Sequence, residues 1–566
     1  MSRTILVLTN CSVSAVDWRI EFANNHKGVM MGNEGASSPL SRRDLLRMIG
    51  ITAGSAAMYQ AMDSLGLAAD SPYKGPIDLQ GAPKGASVLI LGAGLAGMTA
   101  AYEMRNAGYR VQVLEYNARA GGRNWSLRGG DTYTELGGFT QHCEFDKGLY
   151  INPGPWRIPY HHQGILNYAR RLGVPLEPFF QVNYNAYLHS PGAFGGKPQR
   201  YREIKADYQG HVAELLAKAT RQNALDAAVS KEDQEKLLES LKSWGTLDKN
   251  YAYVSSEAGS DRRGYKKEPG GGLTARPVHS QPTGLSDILD SKLWMGIPTG
   301  DSYDMQTALF QPVGGMGRIG EAFGRELGTL IRYNSKVKQI HQDDHGVTVS
   351  YEDTTAPGTT LTAKADWCLC TIPLPILAQI PMNVGPALTS AISAVPYASA
   401  IKVGLQFKRR FWEEDEHIYG GITYTDLPIT NIGYPNTGFF SGGKGVLLGA
   451  YIWGLNAMEF TAMTPPERVQ KVVDYGSQIH PQYHQEFDNG VAVAWHRSPF
   501  TLGCMGMWST DARAKHYDDL CGIDGRIALA GEHASFIGGW QEGAVTSSLD
   551  AIGRLHQRAM AQGAKS

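Results

Sequence analysis

The sequence predicts an α/β protein in three parts: a nucleotide-binding domain, an interleaved mixed-sheet substrate domain and an inserted helical domain. Three observations predict it. A strand, a glycine turn, a helix and a second strand follow one another between Ser87 and Glu115. Strand patterns recur in the second half, at Ile401 to Lys408 and Val446 to Tyr451. Between the first unit and these strands lies a charged stretch rich in Ala and Leu, residues 205–245, with a helical pattern.

Val88 to Leu91 is an apolar run of buried-strand character. Gly92, Gly94 and Gly97 follow in G-x-G-x-x-G spacing, and Leu95 and Ala96 open a run of helix formers that reaches Ala107. Tyr109 to Glu115 is the second strand. This is a Rossmann-like dinucleotide fingerprint. Gly92 permits the tight turn, Gly94 lets the backbone approach a pyrophosphate, and Gly97 lets helix and strand pack closely. The helix N-terminus offers free N–H groups and partial positive charge to the phosphates. Glu115 is placed to accept hydrogen bonds from a ribose diol. A second glycine turn flanked by arginines, Arg119-Ala-Gly-Gly122-Arg123, comes next.

The chain has 566 residues, with 53 basic and 54 acidic side chains, so its net charge is −1. That balance gives no electrostatic reason to expect nucleic acid or an anionic membrane as partner. The length allows two or three domains. The six cysteines, at 11, 143, 368, 370, 504 and 521, form no C-x-x-C pair or Cys/His cluster, so no metal site is expected. Cys368 and Cys370 read as buried apolar residues on one face of a strand. Ser41-Arg42-Arg43-Asp44-Leu45-Leu46, followed by a mildly apolar stretch and Ala68-Ala69, is a twin-arginine export pattern. It predicts a periplasmic or extracellular protein, cleaved after Ala69, with Met30 or Met31 as the true start and no membrane span once the signal is removed.

Arg157 lies between Trp156 and Ile158, with Pro155 and Pro159 on either side, in a setting unsuited to a casual surface charge. Its planar fork suits a carboxylate. A helical pattern covers Gln163 to Leu172, while residues 255–283 lack periodicity and read as a long exposed loop. Lys402 faces inward at a strand start, and Tyr451 and Trp453, two residues apart, share a face.

These stretches resemble the flavin monoamine oxidase superfamily and, within it, the L-amino acid oxidases. The resemblance rests on the G-G-R turn at Gly121–Arg123, Glu135-Leu-Gly-Gly138, the G-P-x-R-x-P segment around Arg157, Pro312-Val-Gly-Gly-Met316, Ile372-Pro-Leu-Pro375, Gly531-Glu532 and Gly539-Trp540. It covers nearly everything from Ser87 to Leu555 and is weakest between about 205 and 300. It implies FAD as cofactor, held by Gly92, Gly94, Leu95, Ala96, Gly97, Glu115, Arg119, Gly122, Arg123, Pro155, Trp156, Arg157, Val337, Gly531, Glu532, Gly539 and Trp540. Glu135 to Gly138 would run beside the isoalloxazine. Arg157 and Tyr451 would clamp a substrate carboxylate, the Gly539 carbonyl would take the amine, Trp453 and Trp540 would wall the site, and Lys402 would hold a water at flavin N5.

The implied domains are an N-terminal extension with signal at 1–69, an FAD-binding domain at 85–155, 311–380 and 521–558, a substrate domain at 156–204 and 381–520, and a helical insertion with exposed loop at 205–310. The implied reaction is oxidative deamination of an L-amino acid, apolar or aromatic, to a 2-oxo acid, ammonia and hydrogen peroxide, with O2 as acceptor and a homodimer as the expected assembly. An amine or polyamine oxidase, an amino acid 2-monooxygenase and a non-catalytic secreted flavoprotein are the alternatives. His161 and His162 lie near Arg157 in sequence, where a solvated or structural role is expected of each.

Overall fold

A computed structural model describes residues 71–225, 229–273 and 276–563. The twin-arginine pattern and everything before it, including Cys11, lie outside the described residues. The nucleotide sheet is built around β1 (Ser87–Leu91). After β1 come α1 (Leu95–Asn106) and β2 (Arg110–Leu114). The sheet has six strands, in the order 331–332, β2, β1, 367–370, 527–529 and 523–524. All neighbours pair in parallel except the last two. Three remote stretches of chain therefore supply one sheet. From Val88 to Leu91, β1 is buried throughout, as an apolar run without alternation should be when both faces of a parallel sheet are covered. Met98, Met104, Ile552 and Leu555 fill the space between α1 and the closing helix at 541–563.

Next in the chain is α2 (Gln163–Arg171), whose first N–H groups meet the body of the protein rather than a side-chain cap of their own. The second sheet is mixed and has seven strands, in the order 199–200, 187–189, 422–425, 431–433, β4, β3 and 487–494. Here β3 is Ala400–Phe407 and β4 is Gly445–Trp453. Every residue of β3 is buried. Its outward row packs with Phe411, Trp412 and Tyr483. Each such aliphatic or aromatic side chain contributes about 1.5–3 kcal/mol by leaving water. That is why the strand also tolerates one lysine in its interior.

The helical insertion holds helices Tyr201–Arg221 and Lys231–Trp244, as the pattern over 205–245 predicts. The expected long loop at 255–283 is not wholly a loop. It contains helix Glu257–Arg263, with the Ser256 side chain capping Gly259 N–H. A seven-residue helix is too short to display a period, and this one is held by a distant partner. Arg263 pairs with Asp207 at 2.7 Å, both buried, and Tyr253 donates to the same carboxylate. Strand Thr360–Ala365 was not anticipated either; it completes a three-stranded antiparallel sheet with 335–342 and 347–353. Cys368 and Cys370 are buried free thiols, and burial pushes Cys370 up to about 12. No helix among the described residues is long and apolar enough to cross a membrane.

Glu135 to Gly138, expected beside the isoalloxazine, lines neither the cavity at the glycine fingerprint nor the one at Arg157. Glu135 is instead a buried anchor. Its Oε2 accepts from Arg468 Nη1 at 2.7 Å, and its Oε1 accepts from Arg468 Nη2 and from Arg497 Nε, each at 3.1 Å. Arg468 is fully buried. Removing one partner of such a pair strands the other charge, which costs about 3–5 kcal/mol. Glu135→Ala is therefore expected to lower the thermal unfolding midpoint far more than Glu135→Gln, which still accepts hydrogen bonds. Equal midpoints for wild type and Glu135→Ala, followed by circular dichroism, would contradict this.

Candidate active site

The glycine fingerprint opens onto an elongated cavity. Gly92, Gly94, Leu95 and Ala96 line one side, with no side chain capping the α1 N-terminus. Gly97 does not line it but does what its spacing implies. A Cβ there would stand 2.0 Å from the Gly92 carbonyl oxygen, so only glycine lets α1 lie against β1. At Gly94 a Cβ would meet no protein atom within 4 Å and would project into open space. Glu115, at the end of β2, lines the cavity while accepting from Ala93 N at 2.6 Å and Asn117 N at 2.8 Å. Ser335, Val337 and a stacked pair, Tyr116 and Phe500, close this end.

At the middle of the cavity Gly122 and Arg123 meet Glu532. Arg123 Nη1 donates to Glu532 Oε1 at 2.8 Å and to the Cys504 carbonyl at 2.7 Å. The remaining Glu532 oxygen accepts from Gly539 N at 3.1 Å. Gly531, Glu532, Gly539, Trp540 and the start of α3 (Gln541–Gly563) form the far wall. The cavity therefore runs from the Glu115 carboxylate past an uncapped helix N-terminus to an aromatic wall. That donor set and that open glycine cradle fit FAD. Buried Glu542 in α3 accepts from Gly164 N and Ile165 N at 2.8 Å, tying α3 to α2.

A second cavity adjoins the first across Gly154, Pro155, Tyr451, Cys504, Gly539 and Trp540, which line both. It is lined further by Trp156, Arg157, Met305, Lys402, Trp453 and Met505. Lys402 stands on β3 opposite Tyr451 of β4. Its Nζ donates to the Gly154 carbonyl at 2.5 Å and to that of Asn152 at 3.3 Å, and lies 4.2 Å from the Tyr451 ring centroid. Burial is the main reason its ammonium is destabilised; Arg157 adds to this, and the pKa falls to about 7. A neutral amine has two N–H donors, both used here, and one lone pair.

Arg157 is 6% exposed, yet no carboxylate lies within ion-pair distance of it among the described residues. Its Nη2 and Nε instead approach the Met305 sulfur at 2.8 and 3.1 Å. A thioether is a weak acceptor, so the guanidinium retains most of its capacity for an anion. Tyr451 and Trp453 share a face as predicted, with ring centroids 4.7 Å apart.

Some expected cofactor contacts belong elsewhere. Arg119 lines a separate surface cleft, where it lies over Trp125 at 4.3 Å and donates to the Gly122 carbonyl at 2.8 Å. It shapes the G-G-R turn from behind. Trp156 and Arg157 line the second cavity and not the first. Of the two roles expected of His161 and His162, solvated or structural, burial of both excludes the solvated one. Sequence reasoning missed Met305, Cys504, Met505, Asn117 and Phe500. None sits in a motif, and only the fold brings them to the site.

Residues 95–554 match the family of flavin-containing amine oxidoreductases, and the chain belongs to that family. Among its relatives, an L-amino-acid oxidase of Siganus canaliculatus is 29% identical over 487 residues, covering 84% of this chain and 86% of that one. An L-amino-acid oxidase of Bungarus fasciatus is 27% identical over 486 residues, covering 83% and 86%. The YobN protein of Bacillus subtilis (strain 168) is 27% identical over 481 residues, covering 82% and 93%. Among solved structures, an A394C mutant of putrescine oxidase superposes with a TM-score of 0.54 at 17% identity, covering 85% of this chain and 100% of that one. Cyclohexylamine oxidase from Brevibacterium oxydans IH-35A gives 0.54 at 15%, covering 84% and 99%. These two likenesses are of fold. The protein is thus a flavin-dependent amine oxidoreductase.

Because the Gly97 position admits no Cβ, Gly97→Val is expected to purify with less than about a tenth of the wild-type flavin per chain, the loss corresponding to at least 1.4 kcal/mol in cofactor binding. The ratio of absorbance at 450 nm to that at 280 nm reads this directly, and an unchanged ratio would contradict the packing argument.

Proposed function

We propose that the protein is an L-amino-acid oxidase acting on apolar or aromatic amino acids. The observation that carries this reading is Arg157, a buried guanidinium that faces the second cavity and has a thioether where a carboxylate partner would be expected. Both charged groups of that cavity, Arg157 and Lys402, are cationic in their protonated forms, and no carboxylate lines it. Such a chamber attracts an α-carboxylate and disfavours a diamine with a protonated tail. Three tryptophans, Tyr451, Met305 and Met505 suit a large apolar side chain. The names of the curated relatives point the same way.

In this reading Arg157 grips the carboxylate bidentately and the Tyr451 hydroxyl adds a second contact. The Gly539 carbonyl orients the amine, which reacts in its neutral form. Trp453 and Trp540 exclude water and hold the Cα–H in one orientation, so the gain is mostly positional. FAD, when bound, supplies the acceptor for the Cα hydride equivalent and returns its electrons to O2. The Lys402 lone pair accepts a hydrogen bond from water at the boundary of the two cavities, and Nζ can take up one proton near neutral pH. Overall, amino acid, O2 and water give 2-oxo acid, ammonium and hydrogen peroxide.

A peroxide-coupled screen of the L-amino acids beside putrescine and cyclohexylamine tests the class; faster turnover of either amine would overturn it. On the best amino acid, Arg157→Met is expected to lower kcat/KM by at least about a hundredfold, the equivalent of roughly 3 kcal/mol for a charge-assisted bidentate pair, with flavin content unchanged. A second prediction concerns pH. Below pH about 7 Lys402 is an ammonium and above it a neutral amine. A carboxylate inhibitor lacking an amine should therefore bind more weakly as pH rises from 6 to 8, by about tenfold, or roughly 1.4 kcal/mol. In Lys402→Met the inhibition constant should stay flat across that range.

A further inference from the structure

We propose that His161, His162 and Asp304 form a binding site for one divalent transition-metal ion of the zinc class, seated behind the wall of the substrate cavity. The three donor atoms lie within 4.8 Å of one another and all three residues are buried. The Nε2 atoms of His161 and His162 stand 3.2 and 3.5 Å from Asp304 Oδ1. Ligands about 2.0–2.1 Å from a tetrahedral ion are separated by about 3.3 Å, so these two edges already have the length a bound ion requires.

The surroundings point to a ligand as well. Asp304 is fully buried, yet neither of its carboxylate oxygens accepts a hydrogen bond, and His162 Nε2 makes none. A buried carboxylate in that condition is costly unless a cation compensates it. Two imidazoles with one carboxylate suit zinc, cobalt, nickel or copper rather than calcium or magnesium, which prefer oxygen donors.

The geometry is held by packing independent of the site. The His161 ring stacks on Tyr303 with centroids 4.1 Å apart, and the His162 ring meets Trp540 edge-on at 5.1 Å. His162 immediately precedes α2, while Asp304 lies in a short turn, Tyr303–Met305. The flanking residues Asp301, Gln306, Thr307 and Ala308 are exposed, so the turn that carries Asp304 lies near the surface. An ion here would clasp that turn to the start of α2. Met305, the residue after Asp304, is the one that touches Arg157. The site is separate from the flavin cavity and does not depend on which amine is oxidised.

The test uses the flavin-loaded enzyme after dialysis against a chelator and its removal. Zinc is titrated by calorimetry, and metal content is measured after gel filtration. Wild type is expected to take up one zinc per chain and to gain at least about 5 °C in unfolding midpoint. Asp304→Asn and His161→Gln, each with an unaltered flavin spectrum, should lose at least about thirtyfold in affinity. X-ray absorption should show a shell of nitrogen and oxygen near 2.0 Å without sulfur. Failure of wild type to retain stoichiometric zinc would overturn the proposal whatever the variants do. So would unchanged affinity in both variants, or a sulfur shell, since either would place the ion elsewhere.

Discussion

A lysine buried without an anion holds the two cavities in register. Lys402 ties its amine to the carbonyls of Gly154 and Asn152, and so fixes the loop from Asn152 to Trp156. That loop is pinned from two other directions. The Trp495 indole donates to the Pro153 carbonyl at 2.7 Å, and the Asn152 side chain accepts from Ser126 at 2.6 Å and from Met316 N at 2.9 Å. Pro155 forms wall in both chambers, Trp156 and Arg157 follow it into the smaller one, and all three take their positions from this loop. Burial of β3 on every residue offsets the cost of holding a lysine there and lowers its pKa.

The two arginines of the site illustrate how pairing determines use. Arg123 is paired with Glu532, which also receives the Gly506 and Gly539 N–H groups. Its charge is neutralised internally, and it acts as part of a rigid wall. Arg157 has no such partner among the described residues and is left with electrostatic demand. One guanidinium is balanced within the protein and the other is not, and the difference is a single glutamate.

Local patterns in the sequence carried the parts of the site whose chemistry is local. The glycine spacing at 92–97 and the acid at 115 are read from one βαβ unit, and Tyr451 and Trp453 share a face because a strand repeats every two residues. The buried strand at 400–407 was legible for the same reason. What escaped depends on contacts between distant segments. Met305 reaches Arg157, Phe500 reaches Tyr116, and Arg263 reaches Asp207, with no motif to announce any of them. Glu135 and Arg119 show the converse: a motif placed them near the cofactor, while the distant Arg468 holds Glu135 and the neighbouring Trp125 and Gly122 hold Arg119 outside the lining of the two main cavities.

The parallel sheet has a consequence for the order in which the protein can be made. Its central strand leaves the ribosome early, but the neighbour at 527–529 and the helix that closes the cavity come from the last tenth of the chain. Until those residues emerge, the Arg123 side chain lacks Glu532 and the far wall is missing. Domains that complete themselves across such sequence separations fold slowly and late. The cavity wall and part of the core are therefore completed only by the last residues to be synthesised.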